Sequence, residues 1–355
     1  MLSQLLQLFL AYEHDAKVKL VILKGNGKAF SAGGDIAEVA RLLDSGDWRL
    51  GLKATAEVCK LLYLIATYSK PQVSIVNGKV MGRGAAIYVS SRFRIATENS
   101  IFSMPETALG GVPENSYFLS RLPRFLGEYL ALTGAQLDGP EMLACGIATH
   151  FVPAAELAML EQELLASIGA LTSETTSSCD DLISYVSSII SKYSIQPALK
   201  ERGSAWHNMD VIEKCFSKST VEVVSSLEKQ ATDIDGDNPW LTSTIESLKK
   251  ASPISLKIAL RSIREGRSQG LGECLVQEYR IACRIARGEI STDFRGGFTA
   301  LLVDRNRIKK WEPSELELVS DQMVDRYFSK LEDDDEVKEL ELPARSNLPT
   351  INVQL

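Results

Sequence analysis

Leu2, Leu5, Leu6 and Phe9 recur at intervals of three and four, which predicts an amphipathic helix over 2–13 packed on a sheet. No basic segment precedes it, so a signal peptide is not expected. VKLVIL (18–23) reads as a strand. It leads to the glycine turn Ser31-Ala32-Gly33-Gly34-Asp35, a helix from about 36 and a longer helix over 51–67. Pro71 opens a second strand, QVSIVNG, followed by Gly82-Arg83-Gly84 and a helical 85–91. RIATE (94–98) and Ile101-Phe102 read as further strands, and 118–132 and 139–146 as helices. Strands alternating with helices predict an α/β fold on a mainly parallel sheet.

After about 155 the pattern becomes helical, with strand character only at ALLVD (300–304). Residues 1–165 are therefore expected to form one unit and 166–355 a helical region. LTSETTSSCDD and ATDIDGDNPW (231–240) read as loops, and LEDDDEVKELELPAR as an acidic, solvated tail. No internal repeat is apparent, and no apolar run reaches the ~20 residues of a membrane span. The first arginine is Arg41, so a transit peptide is not expected. The final Val-Gln-Leu is not the peroxisomal S-K-L tripeptide.

Composition narrows the classes. Among 355 residues, 45 % are hydrophobic and the net charge is −7, which suits a globular protein and disfavours nucleic acid as the main partner. An anionic small ligand, needing only local positive potential, stays open. The six cysteines form no CxxC pair and are expected to be reduced and mostly buried. The three histidines and the acidic residues show no metal-ligand spacing, and a GxSxG elbow is absent.

The chemistry concentrates at three places. Two glycine-rich strand-to-helix junctions, 31–35 and 82–84, can lie side by side on a parallel sheet and present backbone N–H groups to a developing oxyanion. They can equally be two ordinary tight turns. Gly82-x-Gly84 lacks the full GxGxxG, so a dinucleotide site is poorly supported. The third place, MPETALGGVPEN (104–115), carries Glu106 and Glu114. Beside prolines these carboxylates can simply be exposed; if buried near an oxyanion site they suit acid–base or nucleophilic work.

These segments, in order, resemble the crotonase (enoyl-CoA hydratase/isomerase) superfamily. KAFSAGGDI is similar to its first oxyanion loop and VNGKVMGRGAA to its second. RFRIATENSIFSMPETALGGVPENSYFLSRLP, LALTGAQLDGPEMLACGIATHFVP, SLKIALRSIREGRSQGLGECLVQEYR and WEPSELE resemble the 3-hydroxyisobutyryl-CoA hydrolases, notably the plant type. The resemblance implies a spiral of ββα units to about 165, with the helical region covering the active site. It implies hydrolysis of a short 3-hydroxyacyl-CoA in valine catabolism, with no cofactor because CoA is part of the substrate. It also implies the backbone amides of Gly34 and Arg83 as oxyanion donors, and Glu106 as the carboxylate that attacks the thioester or activates water. Glu114 would assist proton transfer or recognise the hydroxyl. Ala29, Ser31, Ala32, Gly33 and Gly82 would lie along the substrate and CoA, and Asp35 would cap the next helix.

There are departures from the family pattern. Arg83 replaces the middle glycine of the second loop, and its side chain is expected to point to solvent. Glu114 replaces Asp, in a loop two residues shorter. Val58 stands where the family often has Glu, with Glu57 beside it. The resemblance begins at the family's first helix; a sheet without the strand before it would expose an edge. A CoA-binding protein with impaired chemistry therefore stays open. A hydratase is disfavoured, since Ala86 stands where its second Glu would be. The family works in mitochondria or peroxisomes, but neither end of the chain carries a clear address. A homo-oligomer is possible, and the sequence does not fix its order.

Overall fold

The computed structural model describes all residues except 36, 37, 40, 43, 44, 171–177, 200–202, 234–237, 303–309, 332–336 and 350–355. The first helix, α1 (Leu2–His14), turns Phe9 inward, where its ring meets Tyr68 edge-on at 5.2 Å. Strands then come in pairs: β1 (Val21–Lys24) and β2 (Ala29–Ser31), β3 (Gln72–Ile75) and β4 (Lys79–Met81), β5 (Phe93–Ala96) and β6 (Ile101–Ser103), with the short β7 (Leu137–Asp138) and β8 (His150–Phe151) completing the set. One strand of each pair joins each of two sheets, ordered β1-β3-β5-β8 and β2-β4-β6-β7. All pairings are parallel except β6 with β7. This is the expected spiral of ββα units. QVSIVNG is thus not one strand: Gly78 turns the chain between β3 and β4, which belong to different sheets. β1 and β2 stand at the sheet ends, only partly covered.

Helices follow the pairs: α2 (Trp48–Ala66) after the first, α3 (Arg83–Val89) after the second, then a 3-10 turn (Glu106–Leu109), α4 (Ser116–Leu119), α5 (Leu126–Thr133) and α6 (Gly139–Ala144). α2 buries Leu52, Thr55, Cys59 and Leu62 along one stripe, each apolar member stabilising the fold by roughly 1.5–3 kcal/mol if fully buried. The helix expected from about 36 lies partly outside the described residues. At its start, Asp35 Oδ1 accepts from the Glu38 amide at 3.1 Å, the capping role foreseen for it.

Beyond Phe151 the described elements are helical: α7 (Leu157–Gly169), α8 (Cys179–Tyr193), α9 (Met209–Phe216), α10 (Thr220–Asp233), α11 (Pro239–Lys250), α12 (Pro253–Gly266), α13 (Leu271–Arg287), α14 (Asp293–Leu302) and α15 (Asp321–Phe328). Of the two polar loops expected, 171–177 and 234–237 lie outside the described residues; Ser178 caps α8, and 231–233 still belong to α10. The largest core cluster draws Val80, Phe102 and Leu130 together with Ile212, Leu227 and Ile263. Two expectations are corrected. The strand at 300–304 is instead the end of α14 as far as Leu302, because its packing is set upstream, where Gly297 sits so close to Leu109 that an added Cβ would lie 2.2 Å from that carbonyl oxygen. The tail is not simply solvated: Leu340 is buried, Arg280 donates to Glu339 at 2.8 Å and Arg345 pairs with Glu13 on α1. All six cysteines are free, and all but Cys179 are buried. Among the described residues no helix is long and apolar enough to cross a membrane.

Candidate active site

The two glycine loops lie against each other at the ends of β2 and β4. A cavity of about 190 Å³ opens between them, lined by Ala32, Gly33, Gly34, Gly82, Arg83, Glu106 and Glu114, with Phe294 and Phe298 from α14 as an apolar wall. Seven of the nine residues expected at the site line it. Ala29 and Ser31 do not; they sit in β2, Ala29 pairing with Lys79 and Ser31 backing onto Gly84.

Sterics explain the glycines of the second loop. A Cβ on Gly84 would lie 2.3 Å from the Ser31 Cβ, so only glycine lets α3 start this close to β2. Gly82 has φ 54°, and a Cβ there would come within 3.0 Å of Glu106 Oε1. The loop thus brings the main chain up to the carboxylate. Arg83 is the first residue of α3, and its amide has no intrahelical acceptor. Gly34 presents its main chain to the cavity from the other loop.

Glu106 opens the 3-10 turn, which the Gly111 amide closes by donating to the Glu106 carbonyl at 2.9 Å. Part of the residue borders the cavity, but its Oε2 is buried with no hydrogen-bond partner among the described protein atoms. Burial pushes this carboxyl up to about 7; Glu114 adds to the rise, while its own amide and Arg83 oppose it. Such a group exchanges its proton near neutral pH.

Arg83 does not point to solvent. Its Nε donates to Glu114 Oε1 at 2.9 Å, its Nη2 approaches the same oxygen at 2.7 Å, and Nη2 reaches Thr55 Oγ1 at 3.4 Å. The reason is electrostatic: Glu114 is mostly buried, and a buried carboxylate draws in the nearest cation that can reach it. The long side chains of Arg83 and Glu114, two of the departures noted above, thus meet each other. Asn115, immediately after Glu114, fixes the shortened loop: it adopts φ 77°, accepts from the Phe118 amide and donates to the Ala86 carbonyl and Ser90. Val58 is fully buried, and Glu57 turns away to accept from Ser3, so neither supplies a carboxylate to the cavity.

The sequence reading missed Glu278. It lies on α13, on the same face as Cys274, Leu275 and Ile281; a charged residue inside an apolar stripe was the available signal. Its Oε1 accepts from both the amide and the hydroxyl of Ser116, each at 2.6 Å. Among the described residues no group of three or more His, Cys, Asp or Glu is arranged to hold a metal.

Comparison with known proteins agrees with this fold. The model of the enoyl-CoA hydratase/isomerase family matches residues 1–328. The 3-hydroxyisobutyryl-CoA hydrolase 1 of Arabidopsis thaliana is 54 % identical over 357 residues, 99 % of this chain and 90 % of that protein. A carnitinyl-CoA dehydratase from Mycobacterium thermoresistibile superposes with a TM-score of 0.81 at 27 % identity, covering 96 % of this chain and 90 % of that one. An enoyl-CoA hydratase from Rhodobacter sphaeroides gives 0.78 at 28 %, covering 93 % and 89 %. The chain belongs to the enoyl-CoA hydratase/isomerase family and, within it, to the plant-type 3-hydroxyisobutyryl-CoA hydrolases.

Proposed function

We propose that the protein hydrolyses 3-hydroxyisobutyryl-CoA to 3-hydroxyisobutyrate and CoA, a step of valine catabolism, with Glu106 as its central carboxylate. The observation that carries this reading is the Glu106 carboxyl, desolvated at the cavity between the two glycine loops. The thioester oxygen takes hydrogen bonds from the Gly34 and Arg83 amides, which stabilise the charge that develops there; each such donor contributes on the order of 100- to 1000-fold in rate. Glu106, ionised, attacks the carbonyl carbon or takes a proton from the water that does. CoA leaves as the thiolate, and hydrolysis returns the free acid. CoA belongs to the substrate and no separate cofactor is assigned. Glu114, held by Arg83 at the cavity wall, recognises the substrate's hydroxyl or assists proton transfer, and Phe294 and Phe298, from the region after 165, line the cavity.

Hydration of an enoyl-CoA is disfavoured: where a second catalytic carboxylate would stand, Ala86 is fully buried. A CoA-binding protein with weakened chemistry has one observation in its favour, the engagement of Glu114 Oε1 by Arg83. A thiol-reagent assay separates the readings. Release of CoA from 3-hydroxyisobutyryl-CoA supports the hydrolase; binding without release supports the binding protein; loss of enoyl absorbance from an unsaturated acyl-CoA supports the hydratase.

A further inference from the structure

A second cavity, of about 40 Å³, also borders Glu114, lined by Thr55, Cys59, Pro113, Glu114, Glu278 and Ile281 among others. Glu278 is 6 % exposed. Its Oε1 is occupied by Ser116, while its Oε2 and the Oε2 of Glu114 are both buried with no hydrogen-bond partner among the described protein atoms. Two carboxylate oxygens are both acceptors and cannot satisfy one another. A water needs a cavity of roughly 10–15 Å³ and two to four polar partners. This cavity is large enough, and both carboxylates line it, each with an Oε2 that lacks a partner among the described protein atoms.

The charges around Glu278 come from several elements. Glu114 faces it from the loop before α4, with Arg83 of α3 on that carboxylate's other oxygen. Ser116 donates from α4. The Cys59 thiol on α2 is pushed up by burial and by both Glu114 and Glu278. On its own helix the Cys274 thiol is pushed up by burial and by Glu278, with Arg121 opposing. The cation paired within this group is Arg83, and it serves Glu114. A second full negative charge on Glu278 would stand beside Glu114 without an ion-pair partner of its own among the described residues.

We propose that Glu278 is a positioning residue of the active site: it holds a proton on Oε2 and donates a hydrogen bond to a water in this cavity, which donates in turn to Oε2 of Glu114 and fixes that carboxylate against Arg83. Burial supports the assignment, pushing the Glu278 carboxyl up to about 7, with Glu114 adding to the rise and the Ser116 and Asn115 donors opposing it. When the pH rises past that point the proton leaves to solvent. Glu114 then faces a like charge across the water, and the repulsion displaces its carboxylate from the position the water had fixed.

The proposal rests on the hydrolase reading, and the test separates the two. Background-corrected CoA release from 3-hydroxyisobutyryl-CoA is followed from pH 5 to 9.5 for the parent chain, Glu278→Gln and Ser116→Ala. The expected parent profile falls about tenfold from its maximum towards pH 9.5. Glu278→Gln, whose amide always donates, keeps the acid limb and loses that fall. Ser116→Ala, which removes one donor from Oε1, moves the fall to higher pH and guards against a Gln variant that does not fold. Superimposable alkaline limbs in all three overturn the proposal. Difference infrared spectra at pH 6 provide a readout without turnover: Glu106 contributes a protonated-carboxyl absorption to both proteins, and the parent has a second such band that Glu278→Gln lacks. Without CoA release but with that band, the hydrolase reading fails and the proton on Glu278 stands; with identical spectra, the proposal fails whatever the activity.

Discussion

Replacing Glu106 by Gln removes a charge the fold holds at a cost, and the cost can be worked out. Burial raises the carboxyl from an ordinary 4.5 to about 7 in the folded protein. The unfolded chain returns it to the ordinary value. Between the two, the native state holds a proton that the unfolded state has released, so stability falls as pH rises from about 4.5 through 7 and levels off above. At ~1.4 kcal/mol per unit the full penalty is roughly 3 kcal/mol. Gln keeps the shape without the charge. Glu106→Gln is therefore expected to be more stable than the parent by roughly 3 kcal/mol at pH 8.5 and by less than about 0.5 kcal/mol at pH 4.5. With about 2 cal/mol/K of unfolding entropy per residue, 355 residues turn this into a Tm increase of roughly 4 °C at the higher pH. Scanning calorimetry of both proteins at the two pH values measures it. A variant destabilised at pH 8.5, or shifted equally at both, would mean that the carboxyl is not desolvated and would refute the reasoning.

Two further outcomes follow from the same geometry. The pH profile of kcat/KM should show an acid limb near 7, falling tenfold per unit below it because the ionised carboxylate is the acting form; Arg83→Met should move that limb upward, since Arg83 opposes the rise caused by burial and Glu114. Gly84→Ala should place a Cβ 2.3 Å from Ser31, destabilise the fold by about 1–3 kcal/mol and, by displacing the Arg83 amide, lower kcat on the order of 100-fold, as thermal unfolding and steady-state assays would register.

Local pattern marked the glycine turns, because a turn between strand and helix needs glycine, and the proline- and glycine-punctuated segment that carries Glu106, but it left ordinary turns and an exposed carboxylate open; only the resemblance joined them into one site. The direction of Arg83 was not legible. It depends on Glu114, 31 positions along the chain, and on Thr55 of α2, and local pattern carries no record of such a meeting. Glu278 meets Ser116 across 162 positions. Only its place in an apolar stripe hinted at burial, and charges at stripe edges commonly reach solvent. ALLVD has the composition of a strand, but the chain through Leu302 belongs to the helix that carries Phe294 and Phe298 into the cavity wall, so tertiary packing outweighed local preference. Splitting QVSIVNGKVM between two sheets likewise depends on partners elsewhere, β1 and β5 for one half and β2 and β6 for the other.

The most direct test compares CoA release from 3-hydroxyisobutyryl-CoA by the parent chain and by Glu106→Gln at pH 8, with acyl-CoA binding measured in both. The expected result is turnover by the parent, a loss of at least about 1000-fold in the variant and binding retained by each. Equal rates from two folded, CoA-binding proteins would contradict the central place given to Glu106.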